Sequence, residues 1–171
     1  MAPKNYIWIT IWFALTAPLM LWDAGYCLMR PRSMVGGDLH WIWKPYELYE
    51  KVYGVQAYEN GEGFAGAAAV LNVLEITMNL IYLYLVHVKV SDVAPLFGYT
   101  GAVMTLAKTL LYTSQEYFCS GCSTGHNEPM VAFLFWIMPN LVWVILCCLI
   151  IWRLGSDITC HIRTSGQLKT Q

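Results

Sequence analysis

Four long hydrophobic blocks, separated by shorter polar stretches, organise the chain. They cover residues 7–28, 64–86, 95–116 and 130–152. Each block approaches the roughly 20 residues that an α-helix needs to cross about 30 Å of hydrocarbon. Apolar runs of this length fit membrane helices better than the buried helices of a soluble bundle. The pattern therefore predicts an all-α integral membrane protein built as a four-transmembrane-helix bundle.

Composition and charge support this class. The 171 residues are 57% hydrophobic and only 12% charged, whereas an ordinary soluble domain is about 25% charged. This length indicates one domain, which we place at residues 1–153, followed by a polar C-terminal tail at 154–171. The net charge of −1 and the lack of a basic stripe argue against nucleic acid as a partner.

The basic residues outside the spans predict an orientation. Four spans place both termini and the 87–94 loop on one side of the membrane. That side carries Lys4, Lys89, Arg153, Arg163 and Lys169. The other side carries Arg30, Arg32, Lys44 and Lys51. Because basic residues are in excess on the cytoplasmic side of membrane proteins, this small difference predicts cytoplasmic termini.

Polar side chains recur at helical spacing inside the last three blocks. Residues three or four apart share one face of a helix. The resulting stripes are Asn72, Glu75 and Asn79 in the second block, Lys108, Tyr112 and Glu116 in the third, and Asn140 and Trp143 in the fourth. Ionisable and polar groups within a membrane turn away from lipid. Together with Asp23 at the end of the first block, these stripes predict a central polar pocket.

Some of these residues also have a purely structural interpretation. Single asparagines often hydrogen-bond neighbouring membrane helices together, which would account for Asn72 and Asn79. A buried Lys108–Glu75 ion pair could likewise be structural. Apolar surroundings favour a neutral carboxyl group and a nearby ammonium favours a charged one. The sequence therefore leaves Glu75 as either a proton donor or an anionic partner.

The only long loop, residues 30–63, is rich in aromatic side chains. It contains Trp41 and Trp43, and then Tyr46, Tyr49 and Tyr53 at helical spacing. Such a segment suits the membrane surface, where tryptophan and tyrosine are enriched. Two interpretations remain open, an interfacial anchor and a lid over a cavity.

The motif "CSGC" at residues 119–122, followed by His126, brings three possible metal ligands close together in sequence. A structural zinc site needs four ligands, and no fourth is evident. A lumenal disulfide or two free thiols therefore accounts better for Cys119 and Cys122. We expect no metal and no cofactor.

An ordered set of short motifs resembles the EXPERA family, which includes the emopamil-binding protein, a sterol Δ8–Δ7 isomerase, and the sigma-2 receptor. The motifs are "PLMLWDAGY", "IWKPY", "LEIT", "LYTSQE" and "NLVW", and the resemblance covers about residues 10–153. The chain is also similar to small fungal membrane proteins associated with secondary-metabolite pathways.

This resemblance implies roles for several residues. Asp23 matches the acid of the first span, and Glu75 matches the catalytic glutamate of the isomerase. Glu116 resembles the acid that ends the third span. Asn140 and Trp143 match an Asn-x-x-Trp motif whose ring faces a cationic intermediate or ligand amine. Two positions differ from the family pattern: Leu19 replaces a histidine of the isomerase, and Lys108 has no counterpart.

The combined expectation is a membrane isomerase or cyclase that transfers protons on a sterol-, terpenoid- or polyketide-like substrate. Glu75 would donate a proton to an alkene or polarise a carbonyl, and Asp23 or Glu116 would complete the relay. Lys108 would act as a base or hold an acidic group. Trp143 would stabilise positive charge through its ring. The tyrosine and asparagines of the stripes would bind substrate.

A non-catalytic sterol- or lipid-binding protein is the alternative, and the replaced histidine favours it. Under either hypothesis the expected partners are a hydrophobic small molecule and the lipid bilayer, in the endoplasmic reticulum membrane. The sequence does not fix the oligomeric state, and a homodimer is compatible with it.

Overall fold

The computed structural model describes residues 4–47, 52, 55–59, 61 and 63–168, which form α-helices, one 3₁₀ helix and turns, without a strand. The α-helices are α1 (Ile7–Leu28), α2 (Val55–Glu59), α3 (Phe64–His87), α4 (Ala94–Phe118), α5 (Pro129–Ala132) and α6 (Met138–Leu168). The 3₁₀ helix, His40–Tyr46, lies in the long loop, and a π-helical turn, Phe133–Ile137, joins α5 to α6. The predicted all-α class is confirmed.

Within the described ranges, three helical segments are long and apolar enough to cross a membrane. They are Ile7–Leu28, Phe64–His87 and Pro129–Thr164. Helix α4 has 25 residues, which is sufficient length at 1.5 Å per residue. It is less apolar than the other three because it contains Lys108, Glu116 and several threonines.

The long helices pack in sequence order, α1 on α3, α3 on α4 and α4 on α6. At the end of the molecule nearest the N-terminus, all four contribute to one hydrophobic core. Its fully buried members include Ile9, Tyr82, Ala94 and Ile150. Many leucines elsewhere on these helices are exposed. Large exposed apolar surfaces mark contact with lipid or with another protein, which agrees with a membrane protein.

Glycine allows α3 and α4 to approach closely. A Cβ atom placed on Gly98 would lie 2.6 Å from the ring of Tyr82, and one on Gly101 would lie 2.4 Å from Asn79 Oδ1. Small residues permit such contacts between helix backbones in membrane proteins. Asn79, a predicted substrate-binding residue, is therefore packed against the backbone of α4.

The fourth predicted span is not one uninterrupted α-helix. Pro139 lies two residues after the end of the π-helical turn Phe133–Ile137, and proline lacks the N–H group that an α-helix needs there. The side-chain amide of the next residue, Asn140, donates to the carbonyl oxygen of Trp136 at 2.7 Å. Such π-helical turns occur often at functional sites.

The last helix continues to Leu168, through most of the residues predicted as a polar tail. Contacts with the N-terminal segment hold the first part of this extension. Tyr6 donates a hydrogen bond of 2.8 Å to Asp157, and Arg153 also bonds to the Tyr6 hydroxyl group. Burial is the main reason that the pKa of Tyr6 is raised. The hydrophobic pattern missed the extension because polar residues interrupt its apolar ones.

The aromatic segment of the long loop is divided between two environments. Trp43 is buried and its indole N–H donates to the carbonyl oxygen of Trp22 at 2.8 Å. Trp41 is 73% exposed. The structure thus attaches part of this segment to the end of α1. Tyr49 and Tyr53, expected to share a face with Tyr46, lie outside the described residues.

Candidate functional site

A cavity of about 500 Å³ lies between the four long helices and the 3₁₀ helix. Its volume is within the roughly 300–1,000 Å³ of small-molecule sites. Its apolar wall includes Leu19, Met20, Ala65, Ala68, Ala69 and Trp136. Its polar and polar-aromatic lining includes Asp23, Arg30, Tyr46, Asn72, Thr105, Lys108, Thr109, Tyr112, Asn140 and Trp143.

Among the described residues, Asp23 is the carboxyl group that lines this cavity. Helix α1 places it one turn before the helix end, where the Tyr46 hydroxyl group donates a hydrogen bond to its Oδ1 atom. The side-chain amide of Asn72, on α3, lies 3.4 Å from Asp23 Oδ2. The 3₁₀ helix and α3 therefore both orient the Asp23 carboxyl group, while part of it faces the cavity.

Lys108 is the cation at the centre of the polar contacts. Its Nζ atom lies 2.7 Å from Glu75 Oε2 and also donates to Asn72 Oδ1. Thr105, one turn earlier on α4, donates to the same Glu75 oxygen at 2.9 Å. A single oxygen of Glu75 thus accepts hydrogen bonds from two side chains of α4.

These contacts form one continuous chain of side chains across four elements, α1, the 3₁₀ helix, α3 and α4. In order, the chain consists of Tyr46, Asp23, Asn72, Lys108, Glu75 and Thr105. Asn72 is its central member, because its amide N–H group faces Asp23 and its carbonyl oxygen faces Lys108. An amide holds two such charged groups in place but is not itself an acid or base near neutral pH. We call this set the polar chain.

Glu75, predicted as either a proton donor or an anionic partner, contacts Lys108 and Thr105 of α4. It is fully buried and is not among the residues that line the cavity. Lys108 is held between α3 and α4 by the same contacts and does line the cavity. The Glu75 Oε1 atom has no hydrogen-bond partner among the described residues. In the structure Glu75 is thus the ion-pair partner of Lys108 and is not part of the cavity lining.

Glu116 also lies away from the cavity lining. Its carboxylate accepts hydrogen bonds from the Thr124 backbone N–H at 2.7 Å and hydroxyl group at 2.6 Å. The Ser123 backbone N–H contacts both carboxylate oxygens at 3.3 Å. Glu116 thus organises the turn after α4, and these bonds do not connect it to Asp23 as a relay would require.

The two cysteines of the "CSGC" motif form a disulfide, Cys119–Cys122. This matches one of the two alternatives that the sequence left open. Ligand atoms of Glu116, Cys119 and Cys122 lie within 4.8 Å of one another. Zinc is bound by thiolates, and joining the sulfurs removes both of them, so the disulfide form does not suit that metal.

The remaining predicted residues lie around the cavity. Trp143 lines it and packs edge-to-face on Trp12 with a centroid distance of 4.8 Å. Tyr112 lines it and packs against Phe64 at 5.0 Å. Asn140 lines it beside the π-helical turn. Asn79, although buried, is not part of the lining.

Several residues of the site are not predicted by the sequence pattern. Thr105 had a usable signal, because it precedes Lys108 by three positions and so shares its face of α4. Tyr46 belongs to the aromatic loop segment, and nothing local in the sequence pairs it with Asp23. Arg30 and Trp136 also line the cavity. Trp136 enters it from the π-helical turn, which the hydrophobic pattern does not reveal.

The arrangement provides the elements of proton-transfer chemistry. A carboxyl group held by a tyrosine hydroxyl can give or accept a proton at the cavity wall. An ammonium group on the same wall can stabilise negative charge on a bound oxygen. The apolar wall would bind a lipophilic skeleton and limit access of water.

Comparisons with known proteins do not assign this chain to a family. A scan against protein-family models found no match, and neither the curated proteins nor the solved structures contained a significant match to this chain.

Proposed function

We propose that this protein is a membrane-embedded isomerase or cyclase that transfers protons on a lipophilic sterol-, terpenoid- or polyketide-like molecule. The observation that carries the proposal is the placement of Asp23 at the wall of a largely apolar cavity, with Tyr46 and Asn72 orienting it. General acid–base catalysis requires such a group within hydrogen-bond reach of the reacting proton. Membership of the EXPERA family is part of this proposal and rests on the sequence motifs.

The proposed catalytic acid or base is Asp23, with Tyr46 as its hydrogen-bond partner. Asp23 replaces Glu75 in this role because Asp23 contacts the cavity and Glu75 does not. Glu75 and Asn72 position Lys108, which faces the substrate. Trp143 and Tyr112 offer ring faces to the bound skeleton, and a tryptophan face stabilises positive charge in a reacting carbon framework.

The proposed membrane arrangement has four spans around a central polar pocket. Helix α4 is the fourth span, and its polar face is turned toward α3, where Lys108 meets Glu75. This orientation supports a crossing, because it keeps the charged groups away from lipid. The termini are proposed to be cytoplasmic and the membrane that of the endoplasmic reticulum.

A second candidate function is a sterol- or lipid-binding protein without catalysis. One observation favours it: Glu75, the counterpart of the catalytic glutamate of the isomerase, is paired with Lys108 and withdrawn from the cavity. In that case the cavity would bind its ligand without changing it.

The test compares two matched substitutions in the purified protein or in microsomes. Asp23→Asn preserves the shape of the side chain but removes its titratable proton. We expect turnover of lipophilic candidate substrates to fall by about 10²–10⁴-fold, the usual contribution of general acid–base catalysis, while ligand binding is retained. Asp38→Asn is the control, because Asp38 lies in the exposed loop and pairs there with Arg32 at 2.6 Å.

Full turnover by Asp23→Asn would contradict the assignment of Asp23. If candidates of every substrate class bind to the parent protein but are recovered unchanged, the result would favour a binding protein without catalysis.

A further inference from the structure

The Lys108 ammonium group has a hydrogen-bond donor to spare. It carries three N–H groups, and its contacts with the described residues use two of them, to Asn72 Oδ1 and Glu75 Oε2. Its side chain is only 12% exposed, yet it lines the cavity. A third N–H group is thus available to a molecule bound there.

The ion pair with Glu75 fixes the position of this donor. Glu75 is fully buried, and Thr105 holds the same Glu75 oxygen that receives Lys108. The ion pair and the Asn72 contact leave the ammonium little freedom to follow a ligand. A donor held in this way is preorganised, which is the condition for effective stabilisation of charge that develops on an oxygen.

Lys108 and Asp23 are close enough to act on the same functional group. Both contact the side-chain amide of Asn72, Lys108 at its oxygen and Asp23 at its nitrogen. The two charged groups are therefore separated by one amide group and the hydrogen-bond contact on each side of it. A carbonyl oxygen at Lys108 would place the neighbouring carbon toward Asp23.

We propose that the substrate is a lipophilic ketone or enone whose carbonyl oxygen accepts a hydrogen bond from Lys108. This rests on the proposed function and names its substrate class. The Asp23 carboxylate removes a proton from the carbon next to the carbonyl. The C–H electron pair forms the new C=C bond, and the carbonyl π pair moves to oxygen as an enolate. The protonated Asp23 then returns the proton to the same carbon or to the far end of the conjugated system.

Because of the Lys108 donor, the cavity should bind a plain hydrocarbon less tightly than a ketone. A hydrocarbon would displace water from the Lys108 N–H group without replacing its hydrogen bond, and an unsatisfied charged donor is costly. A site with a polar donor strongly rejects analogues that lack the matching acceptor. An apolar pocket rejects a ligand with one more or one fewer methylene group less strongly. Lys108 is thus a residue that determines specificity for the oxygenated substrate.

The experiment uses two rigid probes with one skeleton, 5α-androstan-3-one and 5α-androstane, added to the full chain in lipid nanodiscs. We expect the ketone to bind at least about tenfold more tightly than the hydrocarbon, as one hydrogen bond to a charged donor allows. Incubation in D₂O should also exchange the ketone's α-hydrogens for deuterium faster than empty nanodiscs do.

Variants separate binding from proton transfer. The double variant Glu75→Gln/Lys108→Met removes both charges together, so that neither remains buried without its partner. It should bind both probes equally. Asp23→Asn should keep the preference for the ketone and lose the deuterium exchange.

The results test the ketone substrate class and the proposed proton transfer separately. Equal affinity for the two probes in the parent protein, or a preference that survives in the double variant, would overturn the role of Lys108 and leave proton transfer to another substrate untouched. A ketone preference that depends on Lys108 but comes without deuterium exchange would support the carbonyl site and contradict proton transfer.

Discussion

At the scale of single residues, the structure explains why a glutamate lies in the middle of a hydrophobic helix. Glu75 is the counter-ion of Lys108, and together with Thr105 it completes a hydrogen-bonded unit between α3 and α4. A lone charge there would be costly in hydrocarbon. The pair serves the site indirectly, because it allows a charged ammonium group to line an otherwise largely apolar cavity.

This pairing predicts an asymmetry between single and double substitutions. Lys108→Met leaves the buried Glu75 without its partner and should lower the free energy of unfolding by about 3–5 kcal/mol. The double variant Glu75→Gln/Lys108→Met should recover most of that loss. Unfolding in detergent, followed by circular dichroism, measures both. Equal losses in the single and double variants would show that the ion pair is not what the single change disrupts.

At the scale of helices, close packing and local irregularity shape the site. Gly98 lets α4 approach Tyr82 of α3, and a Cβ atom there would also lie 2.8 Å from Leu154 of α6. The π-helical turn Phe133–Ile137 brings Trp136 and Asn140 to the cavity. The close contact at Gly98 keeps α3, α4 and α6 together. The π-helical turn determines which side chains of the last helical segment face the site.

The close approach predicts that Gly98→Ala is destabilising. The added methyl group would overlap the Tyr82 ring, and overpacking of this kind typically costs about 1–3 kcal/mol. Gly66→Ala is the matched control, because Gly66 is also helical and a Cβ atom added there would meet nothing within 4 Å. The control should be neutral or stabilising by up to about 1 kcal/mol. Thermal unfolding of the two variants in the same detergent compares them, and an equal response would argue against a tight α3–α4 contact.

Sequence periodicity predicted the helices and the burial of Asn72, Glu75 and Asn79, because those features depend on local spacing. It also placed Lys108 and Glu75 on facing stripes. It could not show that Lys108, rather than Glu75, reaches the cavity, since that depends on how two helices are rotated against each other. The Tyr46–Asp23 bond joins residues far apart in sequence, and the π-helical turn has no signature in a hydrophobic pattern.

At the scale of the whole molecule, the two ends of the helix assembly differ. A hydrophobic core closes the end where Ile9 and Ile150 are buried. Toward the other end, residues of α1 and α3 line the cavity, and the loop residues Pro45 and Tyr46 contribute to its wall. A lipophilic substrate would thus meet the polar chain only after entering from the loop side or from the bilayer.

Four spans predict that the loops on either side of α4 lie on opposite faces of the membrane. Asp92→Cys and Glu128→Cys introduce thiols at two exposed positions before and after this helix, in a background where exposed Cys148 and Cys160 are replaced by serine. In sealed microsomes, a membrane-impermeant maleimide should label only one of the two. Labelling of both from outside would mean that α4 does not cross.

The central claim is that Asp23 transfers a proton to or from a lipophilic molecule in the cavity. Incorporation of solvent deuterium tests it most directly, since it records proton transfer even when the product is unidentified. Microsomes containing the parent protein, Asp23→Asn or Asp38→Asn are incubated in D₂O with pooled sterol, terpenoid and polyketide ketones, and the extracted lipids are examined by mass spectrometry. We expect deuterium in at least one compound with the parent protein and with Asp38→Asn, and a loss of about 10²–10⁴-fold in its rate of incorporation with Asp23→Asn. Equal deuterium incorporation with all three proteins and with microsomes that lack them would contradict it.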